Sequence, residues 1–380
     1  MAKELTLMAV GDIFVGPVRE AEKKAPGTPI IQERSDLYSW FANVAPILQQ
    51  SDFTMGNCEG PICEGGQSDI SKAGTGGRIF KMPPRAAAVL KKAGFNILAL
   101  ANNHDMDMGS EGLLETMKHL DEAGIAHAGG GRDIAEARRP AIVERDGVRL
   151  AFLSYTSTFV PGTSPAGVNK PGLATVAVST AYEVTGNIHY APGVPPRIIT
   201  TPDRVDAERM LADVRQAKSQ ADIVVVSHHW GTTKFANSYA LKVSLDEAPF
   251  FVANYQEDLG RAAIDAGADL IMGHHPHRLQ GMEIYKGKLI CYSLCNLVLS
   301  WGDGPNFGTE TVILKGRIDP QLKQIKRFTL VPIIAPRETL EPYPATPDQA
   351  GDHIKLLTQL SRKYGTKFRM DGAEITIEAA

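Results

Sequence analysis

The feature that most constrains this chain is a short apolar run that ends in three histidines. The run Asp269 to Met272 is typical of a buried strand, and Gly273, His274, His275, Pro276 and His277 follow it at once. An extended backbone across the last three residues would direct the two outer imidazoles to the same side. Two neutral imidazoles beside a stiff proline can form half of a transition-metal site. A polar loop of solvated histidines is the alternative.

The same pattern, an apolar run that stops at metal-binding or proton-transferring residues, occurs four more times. The runs are Leu5–Val10 before Gly11 and Asp12, Phe53–Gly56 before Asn57 to Glu59, Phe95–Ala101 before Asn102 to Asp105, and Asp222–Val226 before Ser227 to Gly231. In open α/β sheets, sites form outside the carboxyl ends of the strands. The sequence therefore predicts that these five loops converge on one site.

Composition excludes several classes of protein. The chain has 380 residues, a formal net charge of -3 and no long basic run, which gives no support for nucleic-acid binding. Its four cysteines have neither zinc-framework spacing nor the density of a disulfide scaffold, so we expect free thiols. We see no signal segment and no membrane-spanning stretch, which predicts a cytoplasmic protein. The expected partner is a small-molecule or peptide substrate, and the oligomeric state is left open.

The chain changes character twice. Residues 156–201 are rich in proline and glycine and have no helical period, which predicts an insertion near the pocket. Residues 1–335 are predicted to form one domain, and residues 336–380 a C-terminal helix and strand appendage. Three residues of the insertion are candidate substrate contacts: Tyr182, His189 and Tyr190.

Taken together, these loops resemble the CapA family, named for poly-γ-glutamate capsule biosynthesis, whose fold is similar to that of the calcineurin-like metallophosphatases. The matching pieces are Gly11-Asp12, Asn57-x-Glu59-Gly60, Asn102-Asn103-His104-x-x-Asp107-x-Gly109, His229-Trp230-Gly231, Gly273 to His277 and Tyr292-Ser293-Leu294. They occur in the family's order and cover roughly Leu5 to Ile333. The resemblance implies an α/β fold, a four-layer α/β/β/α sandwich with the site at one edge of its two central sheets.

The resemblance also implies roles for individual residues. The implied metal ligands are Asp12, Glu59, Asn103, His229, His275 and His277, with Glu59 at the position that bridges two ions. His104 would be the nearby acid or base, and Asp107 could orient its imidazole, although helix capping is an equal alternative for Asp107. Arg78, Trp230 and Lys234 are candidate substrate contacts, with packing as the alternative for Trp230 and a plain surface charge for the other two.

The chain departs from the family pattern at several residues, among them Phe14, Cys295 and Thr232-Thr233-Lys234, which replaces an acidic residue that the family often has. Metallophosphatases usually have a histidine where this chain has Phe14, so one ligand of the first metal is missing. The centre could therefore hold two divalent ions of Mn, Zn or Fe, or one, or none. Cys295 stands where the family usually has glycine.

Three functions fit these residues. The preferred one is a hydrolase that uses a metal-activated water to cleave an amide, for example of γ-glutamyl type, or a phosphoester. The second is a cofactor-independent epimerase or isomerase that moves protons with the same Asp, Glu and His cluster, which Phe14 motivates. The third is a non-catalytic accessory protein of polymer biosynthesis, which the family name suggests.

Overall fold

The computed structural model describes residues 3–16, 18–19, 34–68, 79–183, 196–233, 252–300, 309–336 and 339–379. The strands in these ranges are β1 Leu5–Phe14, β2 Val18–Arg19, β3 Phe53–Cys58, β4 Ile79–Phe80, β5 Ile97–Ala99, β6 Ala126–Ala128, β7 Gly130–Gly131, β8 Ala141–Arg145, β9 Val148–Thr156, β10 Gly172–Leu173, β11 Val178–Glu183, β12 Arg197–Pro202, β13 Ile223–His229, β14 Leu270–His274, β15 Met282–Tyr285, β16 Lys288–Cys291, β17 Asn296–Leu299, β18 Glu310–Asp319, β19 Gln324–Ile334, β20 Tyr343–Pro344, β21 Lys367–Asp371 and β22 Glu374–Glu378.

The α-helices in the described ranges are α1 Ala45–Leu48, α2 Arg85–Ala93, α3 Gly109–Glu122, α4 Ile134–Ala137, α5 Arg204–Gln220, α6 Asn254–Ala266 and α7 Pro347–Ser361, and 3-10 turns occur at Leu37–Phe41 and Arg362–Tyr364. Helix α6 is followed by Gly267, whose φ of 119° is a left-handed conformation that favours glycine. No helix in the described part of the chain is long and apolar enough to cross a membrane.

Two large sheets organise these elements. The first has the strand order β21-β22-β19-β18-β1-β3-β5-β6, with β17 beside β1 and β20 beside β19, and the second has the order β15-β16-β14-β13-β9-β8. Neighbouring strands β1, β3, β5 and β6 run parallel, as do β9, β13, β14 and β16. Because parallel strands end on the same edge, each sheet delivers several loops to one place.

Hydrophobic packing arranges the sheets and helices in four layers. Alternate residues of β1 face opposite sides: Leu5, Leu7 and Ala9 pack between the two sheets, whereas Met8 and Val10 pack toward α2 and α3. On the far side, alternate residues of β13 pack against α5 and α6. The order is therefore helices, sheet, sheet, helices, and the predicted α/β/β/α sandwich is confirmed.

The C-terminal segment adds to the first sheet. Strand β22 pairs with β19, and β21 pairs with β22. Leu357 of α7 is buried in the core between the sheets. The predicted insertion at 156–201 contains β10 and β11, and β11 pairs antiparallel with β12. The predicted domain boundary at residue 335 stays a prediction.

Candidate metal centre

Six side chains from different strand ends meet at one edge of the two sheets. Asp12 lies near the end of β1, Glu59 directly follows β3, and Asn103 follows β5. His229 ends β13, and His275 and His277 follow β14. Asn103 Oδ1 lies 2.7 Å from His229 Nε2. Glu59 Oε1 lies 3.9 Å from His229 Nε2 and 3.7 Å from His277 Nε2. The structure thus brings together residues up to 265 positions apart (Asp12 to His277) in one cluster.

The cluster contains overlapping groups of metal-binding atoms. One group is Asp12, Glu59 and His277, and another is Glu59, His229 and His275; within each group the ligand atoms lie within 4.8 Å of one another. Glu59 belongs to both groups. A third group of the same kind contains Asp12, His229 and His274. Carboxylate and imidazole are donors that divalent transition metals accept.

The protonation of His229 and His275 suits metal binding. Burial lowers the pKa of His275 to about 3 and holds the pKa of His229 well below its ordinary value. Both rings are therefore neutral at physiological pH, which is the form that binds a metal. His275 Nδ1 is buried and has no hydrogen-bond partner among the residues that the structure describes. A buried polar atom in that state is costly unless something else binds it.

The charges of the centre also favour a cation. Burial alone would raise the pKa of Asp12, but contacts with His274 and His277 hold it well below its usual range. Burial alone would lower the pKa of His277, but the charge of Glu59 and the contact with Asp12 raise it to about 9. Positive charge is thus stabilised between the two carboxylates. By donor type, burial and charge, these residues fit a divalent metal ion.

The backbone at the histidine loop differs from the extended conformation that we expected. His275 has a φ of 103° and His277 a φ of 55°, both in the region that side chains rarely adopt. Each such residue costs about 1–3 kcal/mol, and such residues cluster at functional sites. Contacts to distant strands hold the loop: the His275 amide donates to Asp12 Oδ2 at 3.2 Å, and His277 Nδ1 lies 2.8 Å from Asn296 Oδ1. The expectation of an extended segment was wrong.

A histidine and a carboxylate lie beside the cluster. His104 Nδ1 is 2.7 Å from Asp107 Oδ2, and the backbone amide of Phe80 donates to that same oxygen at 2.7 Å. His104 is close enough to His275 to help lower its pKa, after burial and the charge of His277. The residue that precedes helix α3 is Met108, and no side chain caps the helix there. The Asp107 carboxylate is thus within hydrogen-bond distance of the His104 ring.

The structure places the candidate substrate contacts in different surroundings. Trp230 is fully buried, its Nε1 donates to the Tyr292 carbonyl at 2.8 Å, and its ring stacks on His228 at 4.5 Å. An indole in that position packs the core and does not present a face to a substrate. Tyr182 is exposed on β11. Arg78, Lys234, His189 and Tyr190 lie outside the described residues.

Three further residues of the centre had no predicted ligand role. Asn57 Nδ2 donates to Asp12 Oδ1 at 2.8 Å, and Asn57 Oδ1 accepts from Asn102 at 3.1 Å. Asn296 bonds His277, and His274 lies 3.4 Å from Asp12 Oδ1. Asn57 and His274 lie within the motifs quoted above, and Asn296 lies two residues after the motif that ends at Leu294. Their position in or near these motifs was the signal in the sequence that could have identified them. They tie neighbouring strand ends together.

Comparison with known proteins confirms the resemblance to the CapA family. A family model described as "Bacterial capsule synthesis protein PGA_cap" matches residues 6–300. The chain is similar to the capsule biosynthesis protein CapA of Bacillus anthracis, 32% identical over 304 residues, covering 79% of this chain and 61% of that protein. It is similar to the PGA biosynthesis protein CapA of Bacillus subtilis, 31% identical over 299 residues, covering 78% and 64%. It therefore spans less than two thirds of either relative.

Two other similar proteins have lower sequence identity to this chain. A probable polyglutamine synthesis accessory protein of Mycobacterium tuberculosis is 28% identical over 296 residues, covering 76% of this chain and 68% of that protein. A phosphatase crystal structure from Mycoplasma pneumoniae aligns with 92% of this chain and 98% of that one, at 12% identity and a TM-score of 0.46.

Proposed function

The chain belongs to the family of bacterial capsule synthesis proteins, whose model matches residues 6–300, and on that premise we propose that it is a metal-dependent hydrolase of an amide or phosphoester bond. One observation carries the proposal. Two groups of metal-binding atoms share Glu59, and a paired histidine and carboxylate, His104 and Asp107, lie beside them. Ligands and a proton donor in one cluster are what metal-assisted hydrolysis requires.

The ligands divide between two positions. Asp12, Glu59 and His277 would hold one ion, and Glu59, Asn103, His229 and His275 would hold the other. A divalent ion of Mn, Zn or Fe, when bound, supplies a Lewis acid and lowers the pKa of water. Phe14 leaves the first position without the histidine that related enzymes use, so we propose that this position is the weaker one.

The His104 ring supplies the proton that the leaving group needs. As a C–N or P–O bond breaks, the departing nitrogen or oxygen gains negative charge, and a proton from His104 Nε2 neutralises it. Asp107 holds the opposite nitrogen, Nδ1, at 2.7 Å. A carboxylate at that place stabilises the imidazolium form and fixes the direction of the ring. The exposed side of the cluster is formed by Asn103, which is half-buried, so a substrate would approach there.

Between the two bond types, the names of the relatives favour an amide. Those proteins are named for capsule, PGA and polyglutamine synthesis. A glutamate polymer is joined by amide bonds, which supports a γ-glutamyl-type amide as the substrate. The fold leaves both bond types open, because one scaffold supports many chemistries.

The test is a substrate screen on metal-analysed protein. Purified chain is loaded with Mn²⁺, Zn²⁺ or Fe²⁺ and assayed on γ-glutamyl-p-nitroanilide, poly-γ-glutamate and p-nitrophenyl phosphate. We expect amide turnover that requires metal and is lost in His275→Ala. Turnover of the phosphate alone would contradict the amide preference. Absence of turnover on every substrate by the metal-loaded chain would contradict the hydrolase itself.

A second candidate is an accessory role without catalysis, and the name of the mycobacterial relative favours it. In that case the chain would bind a glutamate polymer without cleaving it. Binding of poly-γ-glutamate with an unchanged polymer length after prolonged incubation with metal-loaded protein would support this role. Chain shortening that disappears in His275→Ala would exclude it.

A further inference from the structure

A buried histidine that carries no role in the proposed reaction lies directly behind one of the proposed ligands. His274 is opposite His229 in the register of β13 and β14, and neither side chain is exposed. His274 Nδ1 is 2.8 Å from His229 Nδ1, and His274 Nε2 is 2.7 Å from the hydroxyl oxygen of Ser227. Ser227 and His229 lie two residues apart on β13, so they face the same side.

Ser227, His274 and His229 form one line of hydrogen-bond contacts, and this line ends at the metal centre. His229 Nε2 lies 2.7 Å from Asn103 Oδ1. Other neighbours are farther: Asn57 Nδ2 is 3.5 Å from His229 Nδ1, and Asp12 Oδ1 is 3.4 Å from His274 Nδ1. The two Nδ1 atoms at 2.8 Å therefore share the shortest contact, and a single proton between them is the arrangement that makes it a hydrogen bond.

The line of hydrogen bonds can run in either direction. Without an ion, Ser227 donates to His274 Nε2, His274 Nδ1 donates to His229 Nδ1, and His229 Nε2 donates to Asn103. A ligand nitrogen must be unprotonated. With an ion, His229 therefore carries its proton on Nδ1 instead of Nε2 and donates to His274 Nδ1, and His274 Nε2 donates to Ser227. A neutral imidazole and a hydroxyl can each exchange donor for acceptor, whereas a fixed carbonyl cannot.

We propose that His274 is a positioning residue. With Ser227 it holds the tautomer of His229 that each state requires, with the proton on Nε2 when no ion is bound and on Nδ1 when one is. In either state both ring nitrogens of His274 have a hydrogen-bond partner, so neither becomes a buried polar atom without one. Partners of this kind typically contribute 10- to 100-fold to metal affinity. The inference rests on the metal centre of the proposed function, but not on hydrolysis.

The experiment measures metal affinity without any substrate. Wild type, His274→Leu, His274→Asn and Ser227→Ala are titrated with Zn²⁺ against a chelating dye, and the Co²⁺-loaded forms are compared by visible absorption. We expect His274→Leu to lower affinity about 10- to 100-fold. The asparagine variant, which keeps a polar atom near the position of Nδ1, recovers part of the loss. The Co²⁺ spectrum keeps its shape because the ligands are unchanged.

The matched control is His228→Leu. His228 is also fully buried on β13 and also contacts a serine, with Nε2 at 2.9 Å from Ser157 Oγ, but it faces Tyr155 and Trp230. Its loss should leave metal affinity unchanged. Ser227→Ala keeps the test valid should His274→Leu fail to fold.

Three results would overturn the inference. The first is equal metal affinity in wild type, His274→Leu and Ser227→Ala. The second is a changed Co²⁺ spectrum in His274→Asn, which would make His274 a ligand. The third is a wild-type chain that binds no metal. The last would also overturn the proposed function. Metal binding with the expected variant pattern but no hydrolysis would overturn the proposed function alone.

Discussion

Phe80 lies face to face with His104, with ring centroids 3.7 Å apart and planes 6° from parallel. The backbone amide of Phe80 also donates to Asp107 Oδ2, the oxygen that contacts His104 Nδ1. One residue therefore holds the histidine through its ring and the carboxylate through its amide. The Phe80 ring also contacts Phe14, with centroids 4.3 Å apart.

Phe80→Leu should lower kcat about tenfold with little change in KM or metal content. The amide bond to Asp107 remains, but His104 loses the flat surface that limits its rotation, and small misplacements of a catalytic group are costly. Steady-state kinetics on the substrate found in the screen measures this. Phe41→Leu is the control, since Phe41 is a buried ring of the same core that packs on Phe95. Equal kcat in the two variants would contradict the role of the stack.

Asp107→Asn should lower kcat about 10²- to 10⁴-fold, the usual contribution of general acid–base catalysis. The amide that replaces the carboxylate cannot stabilise a positively charged His104. The loss should therefore be larger for substrates with poor leaving groups than for p-nitroanilides, which a series of substituted anilides measures. Metal content should stay at the wild-type value. Asp352→Asn, at an exposed position on α7, should change nothing. A uniform loss across the series would argue against proton donation by His104.

Phe14→His should strengthen the weaker ion position. Phe14 is buried two residues after Asp12, and a new imidazole there adds a nitrogen donor near the Asp12 carboxylate. Elemental analysis and calorimetric titration should give more ions per chain than in wild type. Phe14→Leu is the control: it also loses the contact with Phe80 and should lower Tm, but its metal content should not rise. Equal metal content in wild type and both variants would contradict the proposal that Phe14 weakens the first ion position.

The convergence of the site could be predicted because it depends on a general rule. Apolar runs such as those before Asp12 and His229 mark buried strands, and parallel strands in one sheet bring the residues that follow them to the same edge. The local backbone at His275 could not be predicted in this way. Its φ of 103° accompanies a hydrogen bond from its amide to Asp12, a residue 263 positions away, and a local pattern contains no such information.

Cys295 shows how a departure from a family pattern acquires a physical meaning only in the structure. Its φ of 65° is left-handed, a conformation that costs a side chain about 1–2 kcal/mol and costs glycine little. The glycine usual at this position thus reflects backbone geometry. The same turn places the Cys295 carbonyl against β1, where it accepts from the Asp12 amide at 3.0 Å.

Gly11→Ala should destabilise the chain by about 3 kcal/mol or more, at the upper end of the cost of overpacking. A β-carbon on Gly11 would stand 1.8 Å from the Cys295 carbonyl oxygen, and backbone on both sides cannot move without shifting Asp12. Tm should fall, and metal affinity should fall with it. Gly351→Ala is the control. Gly351 lies within α7, and a β-carbon added to it would have no neighbouring atom within 4 Å, so alanine should be neutral or stabilising by up to about 1 kcal/mol. Equal Tm values would contradict the close approach.

Removing metal with a chelator should lower Tm by several degrees, and adding Zn²⁺ or Mn²⁺ back should restore it. A ligand at about 1,000 times its Kd stabilises the folded state by about 4 kcal/mol. When the ion is removed, the buried carboxylates lose a positive charge between them, and the His275 ring loses a cation that its nitrogen can bind. Scanning calorimetry measures the shift. His275→Ala should abolish the response to metal, whereas His119→Ala, on the surface of α3 and paired there with Glu115, should keep it. A Tm that is independent of metal in the wild-type chain would argue that the six side chains at the strand ends form a polar cluster that does not bind metal.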